Sequence, residues 1–460
     1  MFDAISPKVK SVENMVKRAR EKTRATPNSA CPVCHVELWI SFFFDGTGNH
    51  RERDFPNCHS NVAALFDAHQ DDPENGITRL YYEGLGRAFE FRERYEEIPV
   101  YTSYGSLKTT SKEGYEESDD RALGKGFADG ITERLEKAIF DFTRTVEDWK
   151  ALRKIDAINI AVFGFSRGAT EARAFLHWLA ALSKAKIVGN KLTYDGTRLR
   201  FKFLGVFDTV ESVGWAAANK MPETIKTAVP TFVENCTHIV AAHELRNAFP
   251  LTLVERKHRC VVYPGAHSDI GGGYASNEQG RSNGLARVAV VQMLDEARAA
   301  GLKMMSLAEM ESKDEWNKQY KPSFGMHGEA EKSLKAYISE VKPAGSIESH
   351  INTHMNEYWQ WLDSGQAITD VKRKLEQWRG NSKVEKALKT IKLLLTFEAR
   401  TQQGKGYKPA IGLQNTASQH LFSNYVHDSF EHFSATGGTL QTDLSDADYY
   451  KPRTLLAPTK

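Results

Sequence analysis

Ala157-Ile158-Asn159-Ile160-Ala161-Val162-Phe163-Gly164-Phe165-Ser166-Arg167-Gly168-Ala169 joins a nearly unbroken apolar run to a tight turn and a helix. An apolar run of this kind is what a strand buried on both faces of a parallel sheet needs. Ala169 to Ser183 has strong helix character. Between them lies Gly164-Phe165-Ser166-Arg167-Gly168, a GxSxG pattern. In this setting the pattern solves a geometric problem. A sharp strand-to-helix turn lifts the serine hydroxyl above the sheet edge, and the flanking glycines leave room for close backbone packing. The N–H after the serine, that of Arg167, would face a developing oxyanion. The positive end of the following helix would favour the same charge.

The surrounding elements extend this pattern. Val36 to Phe44 is apolar and aromatic and runs into Asp45-Gly46-Thr47-Gly48-Asn49, which reads as a buried strand feeding a tight turn. Gly124 to Lys150 is predicted as an amphipathic helix, with Phe127, Ile131, Leu135, Ile139 and Phe142 recurring every three or four residues. Leu199 to Phe207 reads as a strand ending at Asp208. Arg259 to Tyr263 reads as another, ending just before Gly265-Ala266-His267. Strands alternating with helices predict an α/β fold with a mostly parallel sheet and helices on both faces. With the serine turn, the expectation is an α/β-hydrolase-type architecture. Residues 50–120 are charged, dotted with glycine and without period, and are expected to be rich in loops.

The expected organisation is a basic arm over 1–34, an α/β core over 35–300, a helical insertion or cap over 301–400, and a segment over 401–460 that returns to the core. The 301–400 region carries Tyr358-Trp359-Gln360-Trp361-Leu362 and the largely apolar run Ile391 to Phe397. Aromatic residues on amphipathic helices suit a membrane interface, and equally suit packing on a core.

A serine hydroxyl is a poor nucleophile until a base takes its proton. In α/β-hydrolases the partners follow in the order serine, acid, histidine. Asp208 and His267 fit that order, and both stand at the carboxyl ends of predicted strands, where sites of open α/β sheets cluster. His267 is chosen among 15 histidines because Gly265, Ser268, Asp269 and Gly271-Gly272-Gly273 surround it. Such a loop allows close backbone approach. His427, in Tyr425-Val426-His427-Asp428-Ser429, is its competitor. Asp269 is the rival to Asp208, although better placed to brace the histidine loop. A second oxyanion donor is expected from the turn after the first strand, at Gly46 or Thr47, with Asp45 fixing that loop by accepting N–H bonds. Asp-Gly-Thr also occurs in phosphatases, but the nucleophilic aspartate would then stand two residues earlier, where Phe43 is. Asp45, His267 and Asp269 could line a metal site, yet nothing in their spacing requires one. The expectation is no metal and no cofactor.

Composition narrows the function classes. The 460 residues are 41% hydrophobic and 26% charged, with 61 basic against 59 acidic residues. That balance supplies no long-range field for nucleic acid. No run of 18 apolar residues is present to span a membrane. Met1 to Arg24 lacks the apolar centre of a secretory signal peptide, so export would use a route that does not read one. The five cysteines are Cys31, Cys34, Cys58, Cys236 and Cys260, an odd count that does not suggest a disulfide framework. Cys31-Pro32-Val33-Cys34 leaves three readings open: no cofactor role, a local disulfide, or part of a zinc site.

Four motifs occur in order: Phe44-Asp45-Gly46-Thr47-Gly48-Asn49, Gly164 to Ala169, Gly205-Val206-Phe207-Asp208-Thr209-Val210, and Gly265 to Gly273. Over roughly residues 36–275 the chain resembles the bacterial α/β-hydrolase group that includes the first family of type VI secretion lipase effectors. Tyr425 to Ser429 is a further echo. The resemblance implies a phospholipase of A1 or A2 type acting on membrane phospholipid. It also implies manufacture in a bacterial cytoplasm and delivery to the periplasm of a rival Gram-negative cell. A spike protein would be the carrier and an immunity protein the guard of the producer. Carried over, the triad falls on Ser166, Asp208 and His267.

Overall fold

The computed structural model describes residues 35–85, 99–101, 107–109, 126–211, 225–246, 249–364, 416–429 and 452–460. The arm over 1–34 with its Cys31/Cys34 pair, and the apolar run Ile391 to Phe397, lie outside them.

In chain order the elements that build the site are β1 (His35–Phe44), α1 (Asn61–Ala68), β2 (Ile77–Tyr82), α2 (Gly126–Leu152), β3 (Lys154–Phe165) and α3 (Arg167–Ala180). A hairpin of β4 (Ala185–Val188) and β5 (Lys191–Tyr194) precedes β6 (Thr197–Phe207). Then come β7 (Cys236–Ala241), β8 (Leu251–Thr252), β9 (Arg259–Tyr263), the short α4 (His267–Gly271) and α5 (Gly284–Ala299). The chain continues with α6 (His327–Val341), α7 (Ile347–Asp363), α8 (Thr416–Asn424) and β10 (Leu455–Leu456).

Among the described residues the main sheet runs β9-β7-β6-β3-β1-β2, with every pair parallel. The β4–β5 hairpin adds antiparallel pairing at the start of β6. The fold is therefore α/β and mostly parallel. Parallel strands buried on both faces must be apolar on both faces, and β3 is, from Ala157 onward. Successive side chains of β1 enter opposite cores. Phe42 and Phe44 pack with α2 and α3, whereas Phe43 packs with α1 and α5.

The loop expectation for 50–120 needs correction. Ser60 caps α1, accepting from the Ala63 N–H at 3.0 Å, and seven of its eight residues are buried. A helix buried all round has no apolar stripe to show. Strand β2 pairs with β1 at the sheet edge and is only partly buried, so it lacks the apolar signature of the central strands.

Helices α6, α7 and α8 share one hydrophobic core with α5 and β9. Trp359 and Trp361 are 7% and 2% exposed, and Trp361 packs against Phe422 of α8. At Tyr358, Trp359 and Trp361 the aromatic cluster is core packing. No described helix is long and apolar enough to cross a membrane.

Candidate active site

Strands β3 and β6 end side by side, and their carboxyl ends carry Ser166 and Asp208. The Ser166 N–H donates to Phe207 O at 3.0 Å, and the Val210 N–H donates to Ser166 O at 3.2 Å. Ser166 holds φ 58° and ψ −123°, outside the usual regions for a residue with a side chain. Such a backbone costs about 1–3 kcal/mol and persists only where its surroundings enforce it. The flanking glycines show how. A Cβ on Gly164 would lie 2.4 Å from Gly168 O, and one on Gly168 would lie 2.3 Å from Phe44 O. The turn therefore closes only with glycine at both positions. Ser166 is buried, 3% exposed, and among the described residues its Oγ makes no hydrogen bond.

His267 opens α4, and its Nδ1 lies 2.5 Å from Asp208 Oδ2. Its backbone N–H donates to Glu244 Oε2 at 3.3 Å. Its ring lies 4.5 Å from that of Phe165, the residue before the serine, and 5.1 Å from that of Phe249. Burial lowers the His267 pKa, and nearby Arg246 adds to this, against the pull of Asp208 and Glu244. A neutral imidazole bonded through Nδ1–H to a carboxylate presents Nε2 as a proton acceptor. Burial alone would raise the Asp208 carboxyl. The Arg453 guanidinium and the His267 bond outweigh it and hold the group well below the ordinary carboxylate range.

The loop after β1 lies next to this turn. Arg167 Nε donates to Thr47 Oγ1 at 2.5 Å, which ties the residue after the serine to the loop. The Gly46 N–H donates to Asp45 Oδ1 at 2.7 Å, within its own loop. The Thr47 N–H has no acceptor among the described residues. Besides the Gly46 N–H, Asp45 accepts from Ser60 Oγ at 2.7 Å and Tyr81 OH at 2.5 Å. Burial is the main cause that pushes its carboxyl up to about 6, against those bonds. Ser60 and Tyr81 carry no motif that marks them in the sequence.

Asp269 and His427 form a second buried pair. His427 Nδ1 lies 2.6 Å from Asp269 Oδ1, and Asp269 Oδ2 accepts the N–H groups of His427 and Ala266, each at 2.9 Å. Asp269 thus fixes the start of α4, and the imidazole of His427 stacks on Tyr274. The three residues considered for a metal are engaged separately: Asp45 with its loop, His267 with Asp208, Asp269 with His427.

Three further residues hold the site without a motif that marks them in the sequence. Glu244 holds the His267 N–H. His243 Nδ1 accepts the Gly265 N–H at 2.9 Å, while its Nε2 lies 3.1 Å from His354 O on α7, which links the helical region to the histidine loop. Arg453 holds Asp208 from a distant part of the chain.

Comparison with known proteins adds the family. The model described as type VI secretion system phospholipase effector Tle1-like, catalytic domain, matches residues 40–186 and 183–296. No match was found among curated proteins. A crystal structure of an uncharacterized protein from Pseudomonas aeruginosa is similar with a TM-score of 0.60 at 20% identity, covering 97% of this chain and 81% of that one. This similarity shows the fold. The Tle1 effector bound to the VgrG spike of the type 6 secretion system aligns with a TM-score of 0.44 at 17% identity, over 72% of this chain and 88% of that one. With more than half of its length inside the family match, the chain belongs to the Tle1-like phospholipase effector catalytic-domain family of type VI secretion.

Proposed function

We propose that this chain is a serine-dependent phospholipase that cleaves an acyl ester of glycerophospholipids at the A1 or A2 position. The observation that carries the reading is the His267–Asp208 pair beside a serine held in a strained, glycine-flanked turn. Ser166 Oγ attacks the ester carbonyl carbon as His267 Nε2 takes its proton. Asp208 keeps the proton of the other ring nitrogen on Nδ1 and stabilises the imidazolium. The Arg167 and Thr47 N–H groups receive the oxyanion. His267 then returns the proton to the departing lysolipid oxygen, and water releases the fatty acid from Ser166 by the same steps. The hydrogen bond between serine and histidine in such sites commonly tightens only when substrate is bound.

The lipid substrate rests on family membership. A spike-type carrier, a cognate immunity protein and delivery to the periplasm of target Gram-negative cells are part of the same proposal.

The test is fatty-acid release from phosphatidylethanolamine/phosphatidylglycerol vesicles with a metal chelator present. Release by wild type is expected, with none from Ser166→Ala. Ser166-dependent cleavage of a short soluble ester without release from vesicles would keep the hydrolase and discard the membrane substrate. The assignment of the base has its own test, labelling by a serine-directed fluorophosphonate. His267→Ala is expected to lose labelling. His427→Ala is expected to keep it while losing about 1–3 kcal/mol of stability, because it strips the buried Asp269 carboxylate of a partner. The reverse pattern would move the base to His427.

A further inference from the structure

Arg453 lies far outside the family match, and its side chain is entirely buried. Its Nη1 donates to Asp208 Oδ1 at 2.5 Å, on the carboxylate edge that His267 does not use. The rest of its fork is occupied as well: Nε and Nη2 donate to Phe249 O at 3.2 and 2.7 Å. The segment that carries it is stitched down. Strand β10 pairs in parallel with β8, the Leu251 N–H donates to Thr454 O at 2.8 Å, and the Thr227 and Ala228 N–H groups donate to Thr459 O at 2.9 and 2.8 Å. A buried ion pair gains little stability over well-packed apolar residues, because both charges lose their water. A role in folding alone is therefore a poor account of a guanidinium placed on this one carboxylate.

We propose that Arg453 is a positioning residue for the reaction: it fixes the Asp208 carboxylate in its ionised form against His267 and offsets part of its charge. Two consequences follow. Asp208 is anchored on both edges, by the Ala241 N–H at 2.9 Å and Arg453 on Oδ1 and by His267 on Oδ2, so the carboxylate cannot swing away from the imidazole. In addition, the nearby cation restrains the rise in proton affinity that an unpaired carboxylate would impose on His267. Among the described residues the other charged or titratable groups facing the pair are Glu244 and Arg246 from the loop after β7, His238 on β7 and Cys260 on β9. Arg453 is the one cation bonded directly to Asp208 among the described residues.

The inference rests on the serine-hydrolase reading, and its test separates the two. The pH profile of kcat/KM is measured on a short soluble ester with the full chain, per active site titrated by fluorophosphonate. For Arg453→Gln the plateau is expected to fall about 10²-fold, the scale of a small misplacement in a catalytic group. Its acid limb is expected to move up by about one pH unit, as loss of a neighbouring cation requires. Arg453→Lys keeps the charge and is expected to keep the limb while losing rate. A folded Arg453→Gln protein with an unmoved limb and plateau overturns the proposal, because a merely structural arginine changes the number of active sites and not their profile. Arg453→Lys is the second arm should Arg453→Gln fail to fold: a folded lysine variant with the wild-type plateau overturns the proposal, because the fork geometry would then play no part in the rate. Failure of the underlying reading looks different: wild type would show no Ser166-dependent labelling at any pH.

Discussion

Ser166→Ala is expected to lower turnover of phospholipid vesicles and of a short soluble ester by about 10⁴-fold or more, with stability changed by no more than about 1 kcal/mol. The two halves of this expectation have separate origins. The hydroxyl oxygen is the atom that bonds to the acyl carbon, and alanine offers nothing in its place. The residual rate can come only from the oxyanion donors and from binding, which work without a nucleophile at a small fraction of the full effect. Stability is another matter, because Ser166 Oγ makes no hydrogen bond among the described residues. Its removal leaves no buried partner unsatisfied. Alanine also meets the same backbone penalty at φ 58° that serine does, so the turn is no harder to form. The measurement is a vesicle and ester assay beside a denaturant melt. Residual activity above about one per cent of wild type would remove Ser166 from the nucleophile's role.

How far the sequence reveals this arrangement follows from what kind of contact each residue makes. Strands β1 and β3 are legible because burial on both faces forces runs of apolar residues, β6 and β9 because a short apolar stretch runs into Asp208 and into the Gly265 turn, and helix α2 because it repeats its apolar side every three or four residues. Strand β7 is not legible by that rule. Its six residues, Cys236–Ala241, are all buried, yet Thr237 and His238 interrupt the apolar run. His238 Nε2 lies 3.3 Å from the Thr209 nitrogen, a polar contact inside the core that no periodicity marks. The candidate site divides in the same way. Ser166, Asp208 and His267 sit in local motifs whose glycines and strand ends are visible from a few neighbouring residues. The groups that hold them come from elsewhere in the chain. Arg453 meets Asp208 across 245 positions and His427 meets Asp269 across 158, so their pairing exists only once the sheet has assembled. Trp359 and Trp361 show the converse limit: an aromatic stripe reads alike on a membrane and against a core, and here the partner is Phe422.

Asp208→Asn tests the other side of the same chemistry, and its expected effect is large in both rate and stability. The carboxylate accepts three hydrogen bonds, from His267 Nδ1, the Ala241 N–H and Arg453 Nη1. An asparagine cannot reproduce that set. With its oxygen toward Ala241 and Arg453, its NH₂ faces Nδ1 of His267, which must then accept. The ring proton moves to Nε2, and the base can no longer take the serine proton. That tautomer is expected to cost about 10⁴-fold in kcat. With the amide turned the other way His267 keeps its acceptor, but the NH₂ meets two buried donors. In either orientation the Arg453 guanidinium loses its counter-charge in a site with no exposure to water. Breaking a buried pair from one side costs about 3–5 kcal/mol, so the variant should also unfold at lower denaturant. Adding Arg453→Gln to Asp208→Asn should recover part of that stability and none of the rate, since it removes the orphaned charge and leaves the tautomer wrong. Near wild-type turnover by a folded Asp208→Asn protein would transfer the acid's role to Asp269. That residue stands two positions from His267 on the same helix, but its carboxylate is held by His427 and the Ala266 N–H.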